Sequence, residues 1–189
     1  NLKANRFANG HYFMNPAKIK MDSADDYIDR LKEAQVVVDL DERRKAVESE
    51  IAAAAKKVGG RILHDKDLVD IVTNLVEYPV AVAGEFDKEF LELPDEVLIT
   101  AMREHQKYFA VVGGGEELLP SFIAVNNTAA KDPSLIARGH ERVLRARLAD
   151  ARFFYKADLE ESFDARVEKL KGVLFQAKVG SMHEKAVRR

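Results

Sequence analysis

The arginine-rich segment at 138–155, RGHERVLRARLADARFFY, holds the side chains best suited to bind another molecule. On a helix of about 100° per residue, four guanidinium groups fall within roughly 80° of one another: Arg138, Arg142, Arg145 and Arg152. A guanidinium keeps its charge and donates paired hydrogen bonds, which suits phosphate oxygens. An adjoining apolar stripe can pack against a core: Leu144, Leu148, Ala151 and Tyr155. The pattern therefore predicts a helix with one side that packs and a neighbouring side that holds anions.

The same arginines have a structural interpretation, because Glu141 and Asp150 lie nearby in the sequence and helical arginines often pair with carboxylates of their own domain. The arginines could contact an RNA backbone or form ion pairs within or between domains. Both interpretations stay open, and ion pairs are favoured. Lys107 and Tyr108 could add a cation and a stacking ring to an RNA site. Burial in the core is the favoured expectation for four aromatic residues: Tyr108, Phe109, Phe153 and Phe154.

Other reactive chemistry has little support in the sequence. The five histidines are scattered without metal-ligand spacing, at positions 11, 64, 105, 140 and 183, and cysteine is absent. No Walker loop or G-x-S-x-G elbow occurs, so the serines are expected in turns and caps. The glycines at 113–115 predict a hairpin turn rather than a phosphate cradle. The residues at 126–128, Asn-Asn-Thr, follow a predicted strand and suit either a binding edge or, preferably, a capping turn.

Composition is that of a folded protein, with 47% hydrophobic and 33% charged residues. No apolar run approaches the roughly 18 residues of a membrane span, and the start does not resemble a signal peptide. A soluble, cytoplasmic protein without metal or cofactor is expected. Net charge is −6 over residues 1–100 (14 basic, 20 acidic) and +4 over residues 101–189 (16 basic, 12 acidic). A polyanion should therefore meet the second half.

Helices and strands alternate along the first part of the chain. Periodicity predicts helices from Ser23, over 41–58, over 65–76, and from Pro94 to Gln106. Strands are predicted at 79–86, 108–112 and 121–125, the last two as a hairpin. Leu98 and Ile123 are expected between the layers. Glu116 is expected to be an exposed turn residue with no special backbone role.

Beyond Asp132-Pro133 the sequence predicts helix to about Tyr155 and a further helix over 162–176. The predicted fold is α+β, with helices packed on a small sheet and followed by an all-helical C-terminal segment. The domain boundary is placed near 157, which gives a domain over 1–157 and a helical segment over 158–189.

Five separated blocks resemble the beta subunit of bacterial heterotetrameric glycyl-tRNA synthetase. They are GHYFMNP at 10–16, VVVDLDERR at 36–44, LPDEVLITAMREHQKYFAVV at 93–112, LLPSFIAVNNT at 118–128 with the arginine segment behind it, and KLKGVLFQAKVGSMHEK at 169–185. Because the blocks keep their order across nearly the whole chain, the chain is identified as a member of that family. The chain begins with Asn1 rather than Met, and the family subunit is several times longer, so a central portion of that subunit is expected.

The resemblance implies a share in a glycine-tRNA ligase that attaches glycine to tRNA with ATP. It places the aminoacylation site in the alpha subunit and leaves this portion a noncatalytic role in tRNA binding and scaffolding. It implies three partners: the alpha subunit, tRNA(Gly) and the other beta-subunit domains. The first domain is implied to resemble the editing domain of the phenylalanyl-tRNA synthetase beta subunit, and 158–189 to begin an HD-like domain. An editing hydrolase and a pure subunit-interaction module remain the alternatives.

Overall fold

A computed structural model describes residues 5–187 of the chain. It divides into two compact units, one ending at Leu148 and the other starting at Ala149. The predicted boundary near 157 lies inside the helix that contains this division.

The first unit is built from short strands and helices, in the order β1 (Phe7–Asn9), β2 (Lys18–Lys20), α1 (Tyr27–Glu33), α2 (Leu40–Lys57), β3 (Arg61–Ile62), α3 (Lys66–Leu75), β4 (Val80–Glu85), α4 (Asp95–Thr100), β5 (Phe109–Val112), β6 (Leu118–Asn126) and α5 (Pro133–Glu160). A 3-10 turn at Lys88–Glu92 precedes α4, and a π-helical turn at Ala101–Gln106 continues it. The last helix, α5, runs on into the second unit.

Four antiparallel strands form the central sheet in the order β3-β5-β6-β4. Ile123 in β6 lies between Ala83 of β4 and Phe109 of β5. Apolar residues of α2 and α3 complete a core with Phe109, Val111 and Ile123. Leu98 and Ile123 are both fully buried, as predicted. The α+β class is confirmed.

Aspartates fix where the two core helices begin. Asp39 accepts a hydrogen bond from the backbone N–H of Glu42 at 2.8 Å, and Asp65 accepts one from Leu68 at 2.8 Å. Asp65 also pairs with Arg103, at 2.6 Å between Oδ2 and Nε. Burial alone would raise the pKa of Asp65, but the hydrogen bonds from Arg103 and Leu68 outweigh it and hold the pKa below its ordinary value. The pair ties the start of α3 to the end of the π-helical turn.

The hairpin turn between β5 and β6 lies where the sequence predicts it, but Glu116 differs from expectation. Its φ is 68°, in the left-handed region. The Glu116 carboxylate accepts a hydrogen bond from Arg61 at 2.8 Å. The expectation that Glu116 has no special backbone role is therefore wrong: closing this turn needs one residue with positive φ, and Glu116 supplies it.

The second unit continues α5 and adds α6 (Phe163–Lys169), a 3-10 turn at Leu170–Gly172, β7 (Leu174–Gln176), β8 (Gly180–Ser181) and α7 (Met182–Val187). Strands β7 and β8 pair antiparallel. The expected all-helical segment is thus wrong for residues 174–181. Helical periodicity over 162–176 reflects α6 and its 3-10 turn, after which pairing with β8 takes the chain out of the helix.

No residue between 149 and 187 is buried. Phe153 and Phe154 are both exposed, so their expected burial is wrong. Because no described residue of this unit is buried, the unit has no core that could cover the two rings. Among the described helices, none is both long enough and apolar enough to cross a membrane.

Candidate nucleic-acid interface

Helix α5 carries the predicted arginine face, and its first turn is well capped. Asp132 accepts hydrogen bonds from the hydroxyl and backbone N–H of Ser134, at 2.6 and 3.0 Å, and from the backbone N–H of Leu135 at 3.4 Å. The hydroxyl bond is the main reason that the pKa of Asp132 lies below its ordinary value. The cap and the buried Leu144 and Leu148 fix which side of α5 faces solvent.

The structure divides the predicted arginines into different roles. Arg138 and Arg142 are exposed, and neither has a carboxylate partner among residues 5–187. Within residues 5–187 Arg138 donates one hydrogen bond, to the hydroxyl of Ser134 at 3.2 Å, and its charge also helps to lower the pKa of Asp132. Arg145 instead forms an ion pair with Asp87, at 3.0 Å between Nε and Oδ2. Arg152 lies in the second unit and is half-buried.

The acidic neighbour on α5 does not neutralise this face. The Glu141 carboxylate accepts a hydrogen bond from the backbone N–H of Glu85 at 3.1 Å, which ties α5 to the end of β4. An edge strand exposes such N–H groups, and Glu141 satisfies one of them. Glu141 keeps its own negative charge, but within residues 5–187 it forms no ion pair with Arg138 or Arg142, so these two guanidinium groups, one helical turn apart, stay accessible to an external anion.

Lys107 and Tyr108 both make contacts within the fold. Lys107 has a φ of 57° and ends the π-helical turn, where its Nζ donates to the carbonyl oxygen of Glu104 at 3.1 Å. The Tyr108 ring is only 5% exposed and stacks on Phe122 with 4.7 Å between ring centroids. In this position Phe122 already covers one face of the Tyr108 ring, and the nucleic-acid contact of Lys107 and Tyr108 stays a prediction. The alternative, core burial, is confirmed for Tyr108 and Phe109.

Tyr108 also begins a short chain of part-buried hydrogen bonds. Its hydroxyl lies 2.7 Å from Nδ1 of His140, whose Nε2 lies 2.9 Å from Oδ1 of Asn126. Because the amide oxygen only accepts, Nε2 of a neutral His140 donates to it and Nδ1 accepts from the tyrosine. Burial raises the pKa of Tyr108 to about 12 and lowers the pKa of His140 below its ordinary value. Both groups are therefore uncharged near neutral pH.

Sequence reasoning missed His140, although a signal was available. On α5, His140 lies about 20° from Ala151 at the edge of the apolar stripe, where a side chain is half-buried. The histidine and Tyr108 border a cleft of about 350 Å³ whose apolar walls include Val72, Leu75 and Val143. The cleft is a concave site with two polar groups at its side.

Two further observations limit the chemistry. Asn127 accepts hydrogen bonds from the backbone N–H groups of Glu77 and Tyr78, at 2.6 and 3.1 Å, which is the favoured capping role, although residues 127–128 form a bend rather than a turn. Within residues 5–187, no three histidine, aspartate or glutamate side chains are grouped so that they could hold a metal ion.

Comparison with known proteins gives consistent matches. A family model described as glycyl-tRNA synthetase beta subunit matches residues 1–189. The chain is 57% identical over 188 residues to the glycine-tRNA ligase beta subunit of Desulforapulum autotrophicum, which covers 100% of this chain and 27% of that protein. It is 52% identical over 183 residues to the protein of the same name from Desulfatibacillum aliphaticivorans, covering 97% and 26%. For the Syntrophus aciditrophicus protein of that name, identity is 45% over 188 residues, covering 100% and 27%. The chain thus spans about a quarter of the length of these relatives.

Proposed function

The chain belongs to the glycyl-tRNA synthetase beta subunit family, and from this premise we propose that it is a noncatalytic, tRNA-binding and scaffolding portion of a glycine-tRNA ligase. In this proposal the whole complex glycylates tRNA(Gly) with ATP at a site in the alpha subunit. The partners are the alpha subunit, tRNA(Gly) and the remaining beta-subunit domains, and the compartment is the cytoplasm.

One observation carries the tRNA-binding part of the proposal: Arg138 and Arg142 are exposed on α5 without a carboxylate partner among residues 5–187. Exposed guanidinium groups one turn apart are neighbours on the helix surface, and each can donate paired hydrogen bonds to phosphate oxygens. Most such contacts position a nucleic acid without reading its sequence. We therefore assign these two residues to backbone binding and leave Arg145 to its pair with Asp87.

The scaffolding part of the proposal is supported by the apolar surface of the second unit. Phe163 is 87% exposed, and Leu159, Leu174 and Val187 are also exposed. Large apolar side chains that a folded unit leaves exposed in this number are consistent with a surface that contacts other protein segments. This observation also favours the alternative of a pure interaction module, which the tRNA-binding experiment separates from the main proposal.

The editing alternative has one observation in its favour, the cleft beside Tyr108 and His140. A hydrolytic site needs a base with a free lone pair near a water molecule. Nδ1 of His140 accepts from Tyr108 and Nε2 donates to Asn126, so neither ring nitrogen has a lone pair to spare. This arrangement favours a structural role for His140.

The proposal is tested by replacing Arg138 and Arg142 with glutamine in the full-length subunit assembled with its alpha partner. Loss of two phosphate contacts should weaken tRNA(Gly) binding and lower the slope of log K against log salt by about 1.4 to 1.8. Arg147→Gln is the matched control, because Arg147 is also exposed on α5 but lies about 180° around the helix from Arg138. An unchanged affinity and slope in the double variant would refute the assignment and favour the interaction module.

A further inference from the structure

The β1–β2 hairpin displays rings and cations that the arginine face does not use. Its register pairs Phe7 with Lys20 and Asn9 with Lys18. Side chains alternate between the two faces of a strand, so these four lie on one face, and all four are exposed. This hairpin face combines an aromatic ring, an amide and two ammonium groups.

The loop that joins the two strands adds two more rings. Tyr12 and Phe13 are 78% and 76% exposed, and their rings meet edge to face with 4.9 Å between centroids. Single exposed apolar residues are common on proteins, but this hairpin exposes three large rings within seven residues, two of them in contact with each other. Such a patch indicates a ligand that accepts flat aromatic contacts.

The loop holds these rings outward through a buried histidine. His11 is fully buried, and its Nδ1 accepts hydrogen bonds from the backbone N–H groups of Phe13 and Met14 at 3.3 and 3.2 Å. The backbone N–H of His11 donates to the carbonyl oxygen of Ala34 at 3.0 Å, which ties the loop to the end of α1. A loop fixed in this way loses little conformational entropy on binding.

Charge identifies the class of ligand. Residues 5–21 include Arg6, Lys18 and Lys20 and contain no aspartate or glutamate. In the described part of the chain, Lys20 alone of the three has a carboxylate partner, the exposed Asp22 at 3.5 Å. An apolar protein surface would match the rings but would leave the cations unpaired. Unpaired RNA satisfies both, because its bases stack on aromatic rings and its phosphates bind ammonium groups.

We propose that the face of the β1–β2 hairpin, with Tyr12 and Phe13 on its loop, binds unpaired nucleotides of an RNA. In this site the three rings stack on bases and Lys18 and Lys20 bind phosphates. The inference rests on the proposed tRNA-binding function and adds to it a second surface, in the first unit, that is specific for single-stranded segments.

The test measures the affinity of the full-length subunit, assembled with its alpha partner, for a labelled oligouridylate by fluorescence anisotropy. The probe has about 12 nucleotides, a length within the range of single-strand binding sites. Tyr12→Ala with Phe13→Ala should weaken binding at least about tenfold, because two stacked bases lose their rings. Tyr12→Trp with Phe13→Trp keeps the rings and should bind within about threefold of the native protein. Lys18→Gln with Lys20→Gln should lower the salt slope by about 1.4.

Matched controls separate these effects from general losses. Phe154→Ala removes another exposed ring, and Lys56→Gln with Lys57→Gln removes two exposed charges from the end of α2. Neither control should change oligouridylate binding. The four hairpin side chains to be replaced are exposed, so melting temperatures of the variants should equal that of the native protein.

The outcomes distinguish this inference from the function on which it rests. If the Tyr12/Phe13 alanine variant binds oligouridylate like the native protein while the Arg138/Arg142 variant loses tRNA(Gly) affinity, the hairpin site is refuted and the tRNA-binding function stands. If the alanine variant keeps oligouridylate affinity but no longer retains the alpha subunit, the face is a protein interface and the inference is also refuted. If neither variant loses RNA affinity, both proposals are refuted.

Discussion

Replacing Tyr108 with phenylalanine should destabilise the first unit mainly because one hydrogen bond is lost. The substitution keeps the ring that stacks on Phe122 and removes only the hydroxyl group that lies 2.7 Å from Nδ1 of His140. A net hydrogen bond contributes about 0.5 to 1.5 kcal/mol, and an orphaned buried acceptor costs about 1 to 3 kcal/mol. Because the neighbouring cleft can admit water to Nδ1, we expect about 1 to 2 kcal/mol.

A double-mutant cycle isolates this contact. His140→Leu removes the acceptor and leaves the Tyr108 hydroxyl unpaired, whereas in the double variant that hydroxyl is absent too. Both variants lose the hydrogen bond between His140 and Asn126, so that loss cancels in the cycle. The two single changes should therefore cost more in sum than the double change, by about 1 kcal/mol. Urea unfolding at pH 7, followed by circular dichroism, gives each free energy, and m values should stay constant. Tyr27→Phe is the control, because the Tyr27 hydroxyl makes no hydrogen bond among residues 5–187, and it should cost less than about 0.5 kcal/mol.

The pH dependence supplies an independent check. The folded-state pKa of His140 lies below its unfolded value of about 6.5. The contribution of neutral His140 is therefore fully present above about pH 6.5 and is lost as pH falls from there through the folded-state pKa. The native protein should lose stability relative to the double variant between about pH 7 and pH 5. Additive single changes, or a parallel pH dependence in both proteins, would show that the contact does not stabilise the fold.

Two further predictions test the packing of the sheet. Ile123→Ala, at a fully buried position of β6, should cost about 2 to 5 kcal/mol of unfolding free energy in the same urea assay. Ile71→Ala removes the same atoms from an exposed position of α3 and should cost less than about 1 kcal/mol. Equal costs would contradict the placement of the core. Gly84→Ala should cost about 1 to 3 kcal/mol of unfolding free energy, because the added Cβ would lie 2.5 Å from Cζ of the fully buried Phe122. Gly114→Ala is the control and should be nearly neutral, because its added Cβ would have no atom within 4 Å. A tolerated Gly84→Ala would show that Phe122 is free to move.

Elements with strong local signals could be predicted from the sequence. Helix α2 was predicted over 41–58 and spans Leu40–Lys57, because apolar periodicity coincides with an aspartate cap and with Gly59 at a φ of 80°. The shortest strands could not be predicted. β1, β3 and β8 have two or three residues each, too few for an alternating pattern, and pairing with distant partners defines them.

The same limit applies to the candidate site. The arginine face on α5 was predicted from helical spacing alone, but the role of each arginine depends on what lies across from it. The partner of Arg145 is Asp87, 58 residues earlier, and the partner of His140 is Tyr108, 32 residues earlier. Residue spacing gives the side of a helix on which a charge lies, whereas only the tertiary fold decides whether that charge is neutralised.

The net charge averaged over residues 1–100 hides the basic character of the β1–β2 hairpin. The first hundred residues carry a net charge of −6, so a polyanion was expected at the second half. The acidic residues of the first half nevertheless begin only at Asp22, beyond β2, and residues 5–21 are entirely without them. At physiological ionic strength the Debye length is about 8 Å, so a phosphate on the hairpin responds to Lys18 and Lys20 beside it far more than to distant carboxylates. A surface assigned to nucleic acid is therefore better judged from the charges within a few ångströms of it than from the net charge of its half of the chain.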